Sequence, residues 1–220
     1  MSGRGPSVTG VLFDCYGTLI DILTDERDII TYRCLSRWLL YQGVRISPES
    51  LRDSYLQGVR EALDLTGERY PEVQVEEVFA GICAEHSIRE ADFDRLGIEA
   101  ARAFRATSLR RLGVIRRSRR LLDLFGAKKL GVVSNGQRVF SEQEMRALEL
   151  YDRFEFVIFS SDLGYKKPDP RIYAAALRQM DLGAPEVLFI GDTRENDLLG
   201  PRRLGMQALH VTDAWQHYGV

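Results

Sequence analysis

Val11-Leu12-Phe13-Asp14-Cys15-Tyr16-Gly17-Thr18-Leu19 is the stretch whose reading decides the fold. A short apolar run from Val8 to Phe13 ends abruptly in a carboxylate, and a Gly-Thr pair comes soon after. Such a run reads as a buried strand that delivers Asp14 at its carboxyl end, where open α/β sheets place their ligands. Gly17 supplies the sharp turn away from the sheet. A carboxylate buried there costs several kcal/mol unless it is paired, protonated or metal-bound. Asp14 is therefore read as a nucleophile, a metal ligand, or both.

Outward from this stretch the chain divides in two. Beyond Leu19 the periodicity is helical, and helices are expected near 25–42, 48–65, 74–87 and 89–106. Ser47-Pro48 makes a cap and first residue for the second of them. Gly43, Gly67 and Pro71 mark the breaks, and no strand is expected in this block. From about residue 112 strands and helices alternate. Apolar runs end at Ser134-Asn135-Gly136, at Ser160, at Gly191-Asp192 and at His210-Val211. Helices are expected near 115–125, 138–150, 170–180 and 198–205. That rhythm implies right-handed crossovers and a doubly wound, Rossmann-like parallel sheet of the α/β class. The expected organisation is a core from residues 1–20 and 107–220, interrupted by a helical cap at 21–106.

Bulk properties narrow the function classes. The 220 residues are 45% hydrophobic and 28% charged, as in an ordinary globular chain with a sizeable core. A net charge of −2 gives no general pull toward nucleic acid or membrane, and neither is expected as a partner. No apolar run approaches the roughly 20 residues of a membrane span. Met1 to Ser7 lacks the apolar core of a signal peptide and reads as a frayed tail. Cys15, Cys34 and Cys83 are odd in number and far apart, which fits free thiols and a cytoplasmic setting. Strand alternation points Cys15 away from Asp14, as a packing thiol.

Each strand end carries polar residues of a particular kind. After Asp14 come Ser134-Asn135-Gly136, whose hydroxyl and backbone N–H groups at a helix start suit an anion. Next is Lys166-Lys167-Pro168-Asp169-Pro170, and last Gly191-Asp192-Thr193-Arg194-Glu195-Asn196-Asp197. In this order and at one sheet edge they resemble the four motifs of the haloacid dehalogenase superfamily of hydrolases. The resemblance spans the whole core, with the helical insertion where that family carries a C1-type cap. It implies Asp14 as nucleophile, Ser134 as phosphate-binding hydroxyl, Lys167 as the third-motif lysine, and Asp192 and Asp197 as the acidic pair of the fourth. Thr18, Asn135 and Gly136 join Ser134 as candidate substrate-binding positions.

Two signatures are mixed. Phosphatases of the family usually carry an Asp two residues after the nucleophile, as acid/base, and here Tyr16 stands in that place. Asp-x-Tyr-Gly-Thr is similar instead to the metal-independent L-2-haloacid dehalogenases, whose halide leaves unprotonated. That alternative implies an arginine near the start of the second cap helix, where Arg52 is the candidate and Arg45 stands behind it. Gly-Asp192-x4-Asp197 is similar to the metal-binding form of the phosphatases. Three carboxylates in one crevice disfavour joint ionisation, and Mg²⁺ relieves this. The expected ligands are Asp14, the Tyr16 carbonyl, Asp192 and Asp197. The sequence therefore leads to a Mg²⁺-dependent phosphatase acting on a small phosphate ester through an aspartyl-phosphate. The alternatives are a 2-haloacid hydrolase and a catalytically weakened binding protein on the same scaffold. A phenol titrates near 10 and is a poor proton shuttle at neutral pH, so Tyr16 implies a preference for good leaving groups.

Other features take plainer readings. Arg110, Arg111, Arg116, Arg117, Arg119 and Arg120 are read as the solvated face of the first helix after the cap. His86, His210 and His217 share no ligand spacing and are read as structural. Trp38, Tyr41 and Tyr55 are read as cap packing by default, with lining of the substrate pocket by one of them as the alternative. Pro201 after Gly200 implies a delayed helix start.

Overall fold

The computed structural model describes residues 7–220. Of the tail expected at Met1 to Ser7, all but Ser7 lies outside the described residues. β1 (Gly10–Phe13) is buried along its whole length. It leads through the turn at Gly17 into β2 (Ile20–Thr24) and then four helices. These are α1 (Ile29–Tyr41), α2 (Pro48–Leu65), α3 (Val75–His86) and α4 (Phe93–Ser108). The chain returns through β3 (Leu109–Val114) and α5 (Arg116–Leu124) to β4 (Lys129–Ser134). After α6 (Arg138–Ala147) come β5 (Phe156–Phe159), α7 (Pro170–Met180), β6 (Val187–Gly191), α8 (Gly200–Arg203), β7 (Gln207–His210) and α9 (Val211–Tyr218).

The main sheet is parallel, in the order β5-β4-β1-β6-β7. β1 lies at its centre, with Gly10–Phe13 in register with Lys129–Val132 on one side and Val187–Ile190 on the other. Both faces are covered, as parallel sheets require. Val11, Phe13 and Cys15 join Leu122, Phe125 and Phe154 on one face, while Leu12 meets Ile172, Tyr173 and Met180 on the other. Cys15 is thus a buried packing thiol on the side expected.

The helices α1 to α4 bury a separate cluster around Tyr32, Leu35, Leu51, Phe79 and Phe104. Within it Tyr55 stacks on Phe79 with centroids 4.8 Å apart, a contact contributing about 0.5–1.5 kcal/mol beyond area burial. Val139 and Phe140 of α6 belong to the same cluster and tie it to the sheet domain. The Ser47 hydroxyl caps α2 as its sequence implied. Among the described residues no helix is long and apolar enough to cross a membrane.

Several expectations are corrected. Residues 20–24 and 109–114 form an antiparallel ribbon where no strand was expected. Its strands are half-exposed, and their partners lie far apart in sequence, so neither carries the buried run that marks a strand locally. Arg110 and Arg111 sit on this ribbon, not on a helix, and pair with Asp28 and Asp21. Tyr41 is 87% exposed and lies outside the cap's buried cluster. The last crossover is not delayed by Pro201. A π-helical turn over Arg194–Leu199 precedes α8, and Pro201 stands in α8's first turn.

Candidate active site

β4 and β5 lie to one side of β1, and β6 and β7 to the other. The crossovers therefore leave in opposite directions and open a crevice at the carboxyl end of β1. Asp14 stands there, 7% exposed, its N–H bonded to the Ile190 carbonyl. The next turn closes on the Cys15 carbonyl, which accepts from the N–H groups of Leu19 and Ile20. Gly17 adopts φ +77°, and a Cβ there would lie 2.2 Å from Asp192 Oδ2. Glycine is needed at this place for space as well as for conformation.

The crevice, about 160 Å³, is walled by Asp14, Tyr16, Ser134, Lys167, Asp192 and Asp197, with Asn135, Thr193 and Asn196. Lys167 Nζ donates to Asp14 Oδ1 and to Asp197 Oδ1, each at 2.7 Å, and is 3% exposed. Asp197 Oδ2 accepts from the Thr193 N–H at 2.9 Å, which fixes its rotamer. Oxygens of Asp14, Asp192 and Asp197 lie within 4.8 Å of one another. The Thr18 hydroxyl donates a long 3.4 Å bond to Asp14 Oδ2. Burial pushes the Asp14 carboxyl up to about 6; Lys167 opposes this, and Asp197 and Asp192 add to it. Burial alone would lower the Lys167 ammonium, but attraction to Asp14 and Asp197 outweighs it and raises its pKa.

The second strand end departs from its expected role in part. Ser134 Oγ is buried in the crevice wall with no hydrogen-bond partner. Asn135 turns its amide on the lysine loop: Nδ2 donates to the Lys167 carbonyl at 3.1 Å, and Oδ1 accepts from the Lys167 N–H at 2.7 Å. The Gly136 N–H donates to Ser160 Oγ at 3.0 Å, so it is not aimed at a substrate. What Gly136 provides is room, since a Cβ would lie 3.3 Å from Ser134 Oγ.

Tyr16 is the largest departure. Its phenol lies 2.5 Å from Glu144 Oε2 and 2.7 Å from Ser141 Oγ, on α6. Burial pushes that phenol's pKa far up, further from a proton shuttle than an exposed tyrosine. Burial also raises the Glu144 carboxyl, against the pull of Arg105. Arg52 is tied to Asp53 at 3.2 Å and walls neither the crevice nor the cavity next to it. Arg105, which sequence reasoning passed over, does reach this region from α4, stacked 4.0 Å over Phe140. Glu72 was also missed: its carboxylate accepts from Ser160 Oγ at 2.7 Å and from Gln137 Nε2 at 3.0 Å. His210 is structural, as expected. Its Nδ1 accepts from the Thr212 N–H, which leaves Nε2–H to donate to the Asp192 carbonyl at 3.0 Å. A larger groove, about 930 Å³, lies between α2, α3 and residues 161–164 and contains none of Asp14, Ser134, Lys167, Asp192 and Asp197.

The donor set fits a hard divalent cation. Asp192 is exposed toward the crevice, and one ammonium serves two of three converging carboxylates. Asp14 and the unpartnered Ser134 hydroxyl wall the same crevice.

The family description "haloacid dehalogenase-like hydrolase" matches residues 8–205. A glyceraldehyde 3-phosphate phosphatase of Pyrococcus abyssi is 35% identical over 91 residues, 41% of this chain and 36% of the relative. A pyrimidine 5'-nucleotidase of Escherichia coli is 33% identical over 84 residues, 37% of this chain and 36% of the relative. The match thus spans little more than a third of the length of these curated relatives. Among solved structures, a 2-haloacid dehalogenase from Pseudomonas syringae superposes with TM-score 0.67 at 23% identity, covering 91% of this chain and 85% of its own. A phosphatase from Thermococcus onnurineus gives TM-score 0.53 at 22% identity, covering 91% and 85%. At these identities the structures bear on fold alone.

Proposed function

The chain belongs to the haloacid dehalogenase-like hydrolases, and from that premise we propose that it is a Mg²⁺-dependent phosphoric monoester hydrolase of small phosphorylated molecules. In this reading residues 21–106 act as a C1-type cap on a core formed by 1–20 and 107–220. The carrying observation is the charge ratio in the crevice: Asp14, Asp192 and Asp197 converge within 4.8 Å, and Lys167 alone answers two of them. Asp14, Asp192, Asp197 and the Tyr16 carbonyl are the groups that would hold Mg²⁺. When bound, the ion supplies positive charge between an attacking carboxylate and a phosphate dianion.

The chain's own residues do the rest. Ionised Asp14 attacks phosphorus in line; the ester P–O bond breaks, and the leaving oxygen departs with its electron pair. Ser134 Oγ, with no other partner, donates to a phosphoryl oxygen, and Lys167 adds positive charge beside it. Water then attacks the aspartyl-phosphate at phosphorus, releasing inorganic phosphate and restoring the Asp14 carboxylate. Asn135 contributes by position, through its two bonds to the Lys167 main chain. The phosphatase and nucleotidase relatives support phosphoryl chemistry over dehalogenation.

Release of phosphate from p-nitrophenyl phosphate, with Mg²⁺ and with EDTA, tests the reading beside an Asp14→Asn control. The expected result is release that needs both the metal and Asp14. Halide freed from 2-chloropropionate in EDTA, without phosphate release under either condition, would overturn it.

A further inference from the structure

A second cavity, about 280 Å³, adjoins the crevice and shares Tyr16 and Asn135 with it. A phosphate seated between Asp14 and Ser134 therefore directs the rest of its molecule into this space. Its volume lies just below the usual range for small-molecule pockets, which limits the size of the group esterified to the phosphate. Its lining combines the rings of Tyr55, Phe104 and Phe140 with the charged groups of Glu26, Glu72 and Arg105.

The balance of charge in this lining is negative. Arg105 Nη1 lies 3.0 Å from Glu26 Oε1, and Nε lies 2.9 Å from Glu144 Oε1 behind the lining. Two carboxylates thus answer one guanidinium. Glu72 adds a further negative charge; it is held by Gln137 and Ser160 and, among the described residues, is paired with no cation. A second anion on the substrate would enter a partly dry space facing like charge, where repulsion is screened least. A hydroxyl or amine would instead find carboxylate acceptors and ring faces.

We propose that this cavity is the leaving-group pocket and that Glu26 and Glu72 make it select monophosphates whose alcohol part is small and carries no second negative charge. The inference rests on the phosphatase reading and names the substrate class for that same site. Exclusion by unfavourable charge is a common way to set specificity.

The test compares kcat/KM of the full chain with Mg²⁺ on phenyl phosphate, 4-carboxyphenyl phosphate and 4-(aminomethyl)phenyl phosphate. The carboxylated ester is expected about tenfold below phenyl phosphate, mainly through KM, although its phenol is no poorer a leaving group. The aminomethyl ester is expected at or above phenyl phosphate. Glu72→Gln should narrow the carboxyl penalty several-fold. Because Glu72 also holds Ser160 and Gln137, Glu26→Gln serves as a second variant with the same expected direction. Equal or faster turnover of the carboxylated ester would overturn the proposal and leave the phosphatase reading standing. No phosphate from any of the three esters would overturn both.

Discussion

In the crevice at the end of β1, three carboxylates face one lysine. In and behind the adjoining cavity, Glu26, Glu72 and Glu144 face one arginine. The formal ratio is the same, but the two regions are built differently. Lys167 makes two 2.7 Å bonds from a main chain clamped by Asn135; Asp14 and Asp192 directly follow strand ends, and Asp197 sits in the π-helical turn after β6. Arg105 reaches over from α4, and its Nε and Glu144 Oε1 sit 2.9 Å apart without an aligned hydrogen bond. Charge at the strand ends is held rigidly enough to position reacting atoms. Charge carried by loops and docked helices, as with Glu26 and Glu72 on loops and Arg105 on α4, needs less exact placement to filter substrates by sign.

Lys167→Ala should break the crevice most severely. It removes the one cation from two buried carboxylates, a loss of about 3–5 kcal/mol for one partner of a buried pair. Turnover of p-nitrophenyl phosphate should fall about 10²–10³-fold. Urea unfolding and steady-state kinetics measure both, and added Mg²⁺ should restore part of the stability and little of the rate. Arg105→Met, at the looser site, should cost much less; equal costs would erase the contrast between the two regions.

Asp14 gives the next largest effect, this time through pH. Its folded pKa of about 6 stands above the ordinary 3.8 of an aspartate in the unfolded chain. The protonated form is therefore the one the fold favours. That contribution is fully present below pH 3.8 and is lost as pH rises through about 6. The difference corresponds to about 3 kcal/mol as an order of magnitude. Asp14→Asn, a neutral mimic of that form, should gain stability over the wild type as pH rises from about 4 to 7 without metal, and Mg²⁺ should shrink the gap. Thermal unfolding at both pH values checks this. A gap independent of pH would mean that Lys167 already neutralises Asp14.

The crevice was legible and the cavity was not, for a physical reason. Asp14, Ser134, Asp192 and Asp197 come at or after the ends of apolar runs, and Lys167 stands just before Pro168-Asp169-Pro170, so local patterning places them at one sheet edge. Glu72, Arg105 and Glu144 come together only because α4 docks on α6 and residues 70–72 pair with residues 164–166. No spacing within any one segment records that. Arg52 was chosen by its place on a helix, and its side chain went to the neighbouring Asp53. The ribbon of β2 and β3 was hidden in the same way, its partners being as distant as Ile20 and Val114. Rotamers were the other blind spot: Asn135 and Tyr16 stand where motif order puts them, but their side chains serve the lysine loop and α6.

Tyr16 belongs to both regions by position, and Tyr16→Phe decides which one its hydroxyl serves. The phenol bonds Glu144 and Ser141, so removing it leaves a buried carboxylate with one partner fewer. A cost of about 1.5–3 kcal/mol is expected, the usual worth of a hydrogen bond to a charged group. Were the phenol the acid for the leaving group, its loss would slow alkyl esters about 10²–10⁴-fold and spare esters whose oxygen leaves unaided. With the hydroxyl directed at α6, the loss should be less than about tenfold and equal for alkyl and aryl phosphates. Steady-state rates on a matched pair, ethyl and p-nitrophenyl phosphate, distinguish the two. A selective loss on the alkyl ester would return Tyr16 to the reacting groups and make its bond to Glu144 a resting position. An even, small loss would leave the chain without a proton donor for poor leaving groups, and the preference for good ones would then result from where Glu144 stands.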